Sequence, residues 1–243
     1  MQTTTLTFEE ASDIATIRFT RPATGNRIDV AMLKDLERVC HHLEDDSAAK
    51  VVVFRGEGPD FCQGIDFRAF DPNAIDIHGF AKWEKCIALI ERIPKATVAA
   101  VHGRVEGGGL QLALACDIKI ATADAVFRLP EVQLGFLPGM ATFRLAKYIG
   151  IGRARRMMLT ARPVSADEAA SIGLIDEVVA SLDAGIASTI ASLGPVHTVA
   201  VEMARRLLNE SFQDSLEDAT GHFLAAQHRC VTQAAFLGNL GKP

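Results

Sequence analysis

The chain has 243 residues, of which 49% are hydrophobic and 23% charged, which supplies the core of one full-sized domain and excludes intrinsic disorder. Its 30 acidic and 25 basic residues leave a formal charge of −5 with no block of one sign, so the basic footprint that nucleic acid demands is missing. The opening Met1-Gln-Thr-Thr-Thr carries no signal-peptide pattern, and the longest uncharged run, Ala184 to Val201, is broken by Gly194-Pro195, which predicts a soluble, non-secreted protein without a membrane partner.

Leu6 to Phe8 and Ile14 to Phe19 alternate apolar and polar residues around Ser12-Asp13 and predict two strands joined by a turn. From Val30 to Leu43 the apolar residues recur at helical spacing behind Asp29, a fitting cap. Val51-Val-Val-Phe54 is a continuous β-branched run of the kind buried on both faces of a parallel sheet. A helix from about Gly79 to Ile93 is stopped by Pro94, and a second buried strand follows at Thr97 to Val101. Next come the glycine run Gly107 to Gly109, a short apolar helix Leu110 to Cys116, and strands at Ile118 to Thr122 and near Val126 to Leu129. Beyond Gly150 the pattern is mainly helical, at about 151–161, 165–172, 183–192, 196–208 and 213–233. The alternation predicts an α/β fold: a core over residues 1–180 built on a mostly parallel sheet, and a helical region over 181–243.

Three segments carry candidate chemistry. In Val98 to Asp117 a buried strand leads through His102-Gly103 to three successive glycines and a nearly uncharged helix. Glycines admit close backbone approach, and a helix start offers free N–H groups with partial positive charge, so this is an anion or oxyanion site; close helix-sheet packing is the bland alternative. The G-x-G-x-x-G spacing of a dinucleotide loop is not met, and Gly150-Ile-Gly152 lacks the third glycine. The second segment, Phe61-Cys-Gln-Gly-Ile-Asp66, follows another buried strand and can offer a second backbone N–H to one carbonyl oxygen. The third, Arg128-Leu-Pro-Glu-Val-Gln-Leu-Gly135, places Glu131 in an apolar loop, either paired and structural or raised in pKa and suited to proton transfer. No histidine neighbours Cys62, which reads as a packed thiol, and the seven histidines show no metal-ligand spacing. Five cysteines without a C-x-x-C pair fit a reducing cytoplasm.

Together these segments resemble the crotonase superfamily of enoyl-CoA hydratases and isomerases. The likeness runs from F-x-x-G-x-D at Phe61 to Asp66, through A-A-V-x-G-x-x-x-G-G-G-x-x-L-A-L-A-C-D at Ala99 to Asp117, to F-x-x-P-E-x-x-L-G-x-x-P-G at Phe127 to Gly139, and covers roughly residues 5 to 240. The resemblance implies a crotonase-like ββα superhelix with a C-terminal helical trimerisation region, assembled as a homotrimer or hexamer, that binds an acyl-CoA thioester and holds no cofactor tightly because the substrate carries coenzyme A. It implies Gln63 and Gly108 as backbone donors to the thioester oxygen and Glu131 as the acid/base, with Phe61, Gln63, Gly64, Asp66 and Gly108 contacting the ligand. Arg27, Arg68 and Lys242 are candidates for the coenzyme phosphates, or merely exposed charges; Trp83 on the helix before Pro94 reads as packing.

Departures from the family pattern bear on the reaction. Hydratases of the family carry two glutamates; Glu131 matches the second, but the first position holds Gln111, an amide that takes no proton at neutral pH. Double-bond isomerisation by one carboxylate is therefore the preferred reading, with hydration the alternative and a non-catalytic thioester binder a further one. Glu106, where a small or apolar residue is usual, is a replacement acid, a partner of Arg104 or a solvated strand end.

Overall fold

The computed structural model describes residues 3–69 and 77–240. In chain order its elements are β1 (Leu6–Ala11), β2 (Ile14–Phe19), α1 (Val30–Asp45), β3 (Val51–Gly56), α2 (Ile77–Arg92), β4 (Ala96–Val101), β5 (Arg104–Glu106) and α3 (Gly108–Ala115). There follow β6 (Ile118–Thr122), β7 (Val126–Arg128), α4 (Ala141–Thr160), β8 (Val164–Ser165), α5 (Ala166–Ser171), β9 (Glu177–Val179), α6 (Leu182–Leu193), α7 (Thr198–Glu210), α8 (Leu216–Val231) and α9 (Ala234–Leu237).

A six-stranded sheet has the order β1-β2-β3-β4-β6-β9, antiparallel between β1 and β2 and parallel thereafter. The unbroken apolar runs of β3 and β4 follow from burial on both faces. Val52, Phe54, Ala99 and Val101 join the main core beneath α1, α2 and α3. The alternate residues Val51, Val53, Val98 and Ala100 face Leu182, Ile186 and Ile190 of α6. Each valine or larger side chain among them contributes about 1.5–3 kcal/mol by leaving water. Asp29 caps α1 as expected, its carboxylate accepting the Met32 N–H at 2.9 Å.

Of the short strands only β7, expected near Val126 to Leu129, was legible in the sequence; β5, β8 and β9 were not. β5 pairs parallel with β7, and β7 antiparallel with β8, in a three-stranded sheet whose members are two or three residues long. β9 interrupts the mainly helical stretch past Gly150 and closes the edge of the large sheet. α4 begins ten residues before the expected 151 because its first half is a separate helical run, joined across a break at Gly150 with φ 76°. Among the described residues no single helix is long and apolar enough to cross a membrane; α6 and α7 reach that composition only as a pair bent by 99°.

Arg205 locks α7 onto this body. It lies 8% exposed, donates to Asp117 at 2.7 Å and to the carbonyls of Ile90 and Ile93 at the end of α2, while Asp117 also accepts from Thr97. Removing one member of a buried charged network leaves the other uncompensated. Arg205→Met is expected to lower the unfolding free energy by about 3 kcal/mol, read from urea denaturation midpoints.

Candidate active site

The three glycines of the run have different duties. Gly107, at φ 53°, leaves room for Glu131: a Cβ there would sit 2.3 Å from Glu131 Oε1. A Cβ on Gly109 would meet the Cys62 carbonyl at 2.3 Å, so the packing reading holds at that position. Gly108 opens α3, and its N–H, first in the helix, has no acceptor within it.

The 61–66 loop is pinned beside this helix start. A Cβ on Gly64 would lie 3.3 Å from Gly108 N. Its backbone donors account for themselves in order. The Cys62 N–H goes to Arg104 O at 3.2 Å, that of Gln63 to Gly25 O at 3.0 Å, that of Gly64 to the Cys62 sulfur, and that of Asp66 to Ile28 O at 2.8 Å. The Ile65 N–H alone keeps no acceptor among the described residues. This corrects the expectation for Gln63, whose amide is tied into the frame and is not free for a ligand; the available donor lies two residues later. The Gln63 side chain is structural too, accepting from Arg27 at 2.7 Å and donating to Asp60 at 2.7 Å.

Two cavities of about 260 Å³ each share Ile65, Glu131 and Phe136. One is polar at its wall, with Arg27, Gln63, Glu106 and Arg128. The other is largely apolar, bounded by Phe80, Trp83 and Leu137, and holds Gly108 and Gln111. Glu131 stands between them in a 3-10 turn started by Pro130. It is 5% exposed, and its Oε2 is buried without a hydrogen-bond partner. Burial pushes its carboxyl up to about 7, and the nearby Glu106 charge adds to the shift. Gln111 Oε1 and Trp83 Nε1 are likewise buried and unpartnered on the apolar cavity.

Other expected residues fall elsewhere. Phe61 is fully buried in the core against Phe19, ring centroids 5.6 Å apart, and lines neither cavity. The Asp66 carboxylate holds Arg68 at 2.8 Å. Arg104 pairs with Asp60, so Glu106 does not have it as partner and instead shares a cavity with Glu131. Burial pushes the Cys62 thiol up to about 12, which removes a thiolate nucleophile. Lys242 and residues 70–76 of the loop after Arg68 lie outside the described residues. Sequence reading missed Ile65 because a free N–H is defined by which neighbouring donors are already taken.

A sequence profile described as "Enoyl-CoA hydratase/isomerase" matches residues 9–235. The short-chain-enoyl-CoA hydratase of Clostridium acetobutylicum is 32% identical over 96% of this chain and 91% of its own. The crotonyl-CoA hydratase of Syntrophomonas wolfei is 33% identical, over 94% and 93%. A Thermobifida fusca crystal structure in complex with acetoacetyl-CoA superposes with a TM-score of 0.84 at 30% identity, over 93% of this chain and 94% of that one. The chain belongs to the enoyl-CoA hydratase/isomerase family of enzymes and has the crotonase fold, with a helical C-terminal region.

The raised pKa of Glu131 sets a pH dependence of stability. Between its ordinary 4.5 and about 7 only the folded chain binds the proton, so the folded state loses stability as pH rises through that window. Glu131→Gln abolishes the effect: the variant should exceed the wild type by about 3 kcal/mol at pH 8 and match it at pH 4, in denaturation midpoints taken across that range.

Proposed function

We propose that this chain binds an acyl-CoA thioester and adds water across its 2,3 double bond through an oxyanion-stabilised enolate. The observation that carries the reading is Glu131 Oε2, buried and unpartnered in a cavity flanked by the free amides of Ile65 and Gly108. The two N–H groups hold the thioester oxygen, where negative charge gathers as carbon 3 is attacked; one such donor is worth about 3 kcal/mol in the transition state. Glu131, as the carboxylate, takes a proton from the water while its oxygen bonds to carbon 3, and the π electrons move onto the thioester oxygen. The carboxyl then returns a proton to carbon 2 as the enolate collapses. Gln111 Oε1 accepts the second O–H of the water. A carboxyl with a pKa near the working pH suits both halves of this exchange.

The hydratase names of the relatives weigh toward hydration over the isomerisation preferred from residue types. One observation keeps isomerisation as a second reading: position 111 is an amide, and migration of the double bond from carbon 3 to carbon 2 needs only the Glu131 carboxylate. The exposed Leu216, Phe223, Leu224 and Leu237 of α8 and α9 support self-association, for which a sedimentation mass of three 26.1 kDa chains is the expected result.

Glu131→Gln should lower kcat on trans-2-enoyl-CoA by about 10²- to 10⁴-fold while thioester affinity stays within a few-fold. In the wild type kcat/KM should rise with pH through about 7, as the base form appears. Parallel assays with 3-enoyl-CoA decide between the readings: faster turnover of that thioester than of the trans-2 isomer would assign isomerisation.

A further inference from the structure

We propose that Glu106 is a positioning residue for Glu131: its carboxylate stands on the same polar cavity beside Gly107 without a neutralising partner, and by repulsion of like charge it favours the protonated form of Glu131. The use made of that proton rests on the acyl-CoA reading above; the coupling of the two acids does not.

Glu106 and Glu131 line one cavity of about 260 Å³. Glu131 Oε1 rests against the face of Gly107 that lacks a side chain, and Gly107 is the residue that follows Glu106 in the chain. The backbone fixes Glu106 in this place. Its N–H donates to Cys62 O at 3.0 Å, and the ladder sets it opposite Arg128 of β7, while the intervening Val105 turns into the core.

The arginines that could neutralise Glu106 are engaged elsewhere. Arg104, two residues earlier on β5, turns to Asp60, its Nε 3.3 Å from Oδ1. Arg128 donates through Nε to Ala161 O at 2.7 Å and reaches Gln133 Oε1 at 3.5 Å. Arg27 gives its N–H groups to Gln63, at 3.2 Å to the carbonyl and 2.7 Å to Oε1. Among the described residues the Glu106 carboxylate has neither an ion pair nor a hydrogen bond. The other acid on the walls around Glu131, Glu84 of α2 on the apolar cavity, is held by Arg144 at 3.0 Å and accepts the Met140 N–H at 2.9 Å. Burial is the larger cause that lifts the Glu131 carboxyl, and Glu106 is the neighbouring charge that adds to it. Position 111 holds an amide, so the second carboxylate near Glu131 comes from the end of β5 and acts through it, leaving proton transfer to Glu131.

The test is the pH profile of kcat/KM on trans-2-enoyl-CoA for the full chain carrying Glu106→Gln, which removes the charge and keeps the shape. Its midpoint should fall by about half a unit below that of the wild type, an increase of about threefold in the base form on the acid side. Glu106→Asp, which keeps the charge, should leave the midpoint within about 0.2 of a unit. An unmoved midpoint in Glu106→Gln would overturn the proposal, as would an equal loss of rate at every pH, the mark of a residue that only supports the fold. Denaturation midpoints across pH supply a readout that needs no substrate. The window in which the folded state loses stability as pH rises should end about half a unit lower in Glu106→Gln, and the substitution should have no such effect once Glu131→Gln is present. The same change in both backgrounds would overturn the coupling. If no thioester is turned over while the denaturation window still moves, the acyl-CoA reading falls and the coupling stands.

Discussion

Glu131 presses one carboxylate oxygen against the face of Gly107 that lacks a side chain, while its other oxygen is enclosed without a partner. An ion pair there would hold the charge and make the group inert; burial without one makes the charged form costly and brings the proton within reach of neutral pH. The arrangement persists because its surroundings are fixed independently of it. Pro130 starts the turn that carries the residue, and β7 leads into it from a pairing with β5, the strand that precedes the glycine run.

The same rigidity explains why two amides stay unpaired. The 61–66 loop is held by six backbone hydrogen bonds to two segments, 25–28 and 102–106, through Phe61, Cys62, Gln63, Gly64 and Asp66, so Ile65 cannot turn its N–H toward a protein acceptor without breaking them. Gly108 is left over by helix geometry, and all eight residues of α3 are buried. Partial charges in such a medium are weakly screened and need no rearrangement when an oxyanion forms.

Much of this was legible before any coordinates. The β-branched runs at Val51 and Thr97 announced strands buried on both sides, and the order of the three motifs carried the family and the place of Glu131. Three kinds of information were not. Strands of two or three residues such as β5 and β8 leave no periodic trace and exist only by pairing with distant partners. The choice between Gln63 and Ile65 depends on which N–H the Gly25 carbonyl takes up, a contact across 38 residues of chain. Trp83 packs in the core as its apolar helix face announces, but that its indole nitrogen finds no partner there depends on neighbours brought in by the fold.

The closing end of α2 is held by two arginines. Arg144 grips Glu91 with two nitrogens and Glu84 with a third, and Arg205 caps the carbonyls of Ile90 and Ile93, so the final turns are anchored from two directions. Ile77 and Phe80, on the opening turn of the same helix, bound the apolar cavity. The apolar enclosure thus borrows one wall from a helix whose closing turns two arginines fix, so the register of that wall is set from outside the cavity.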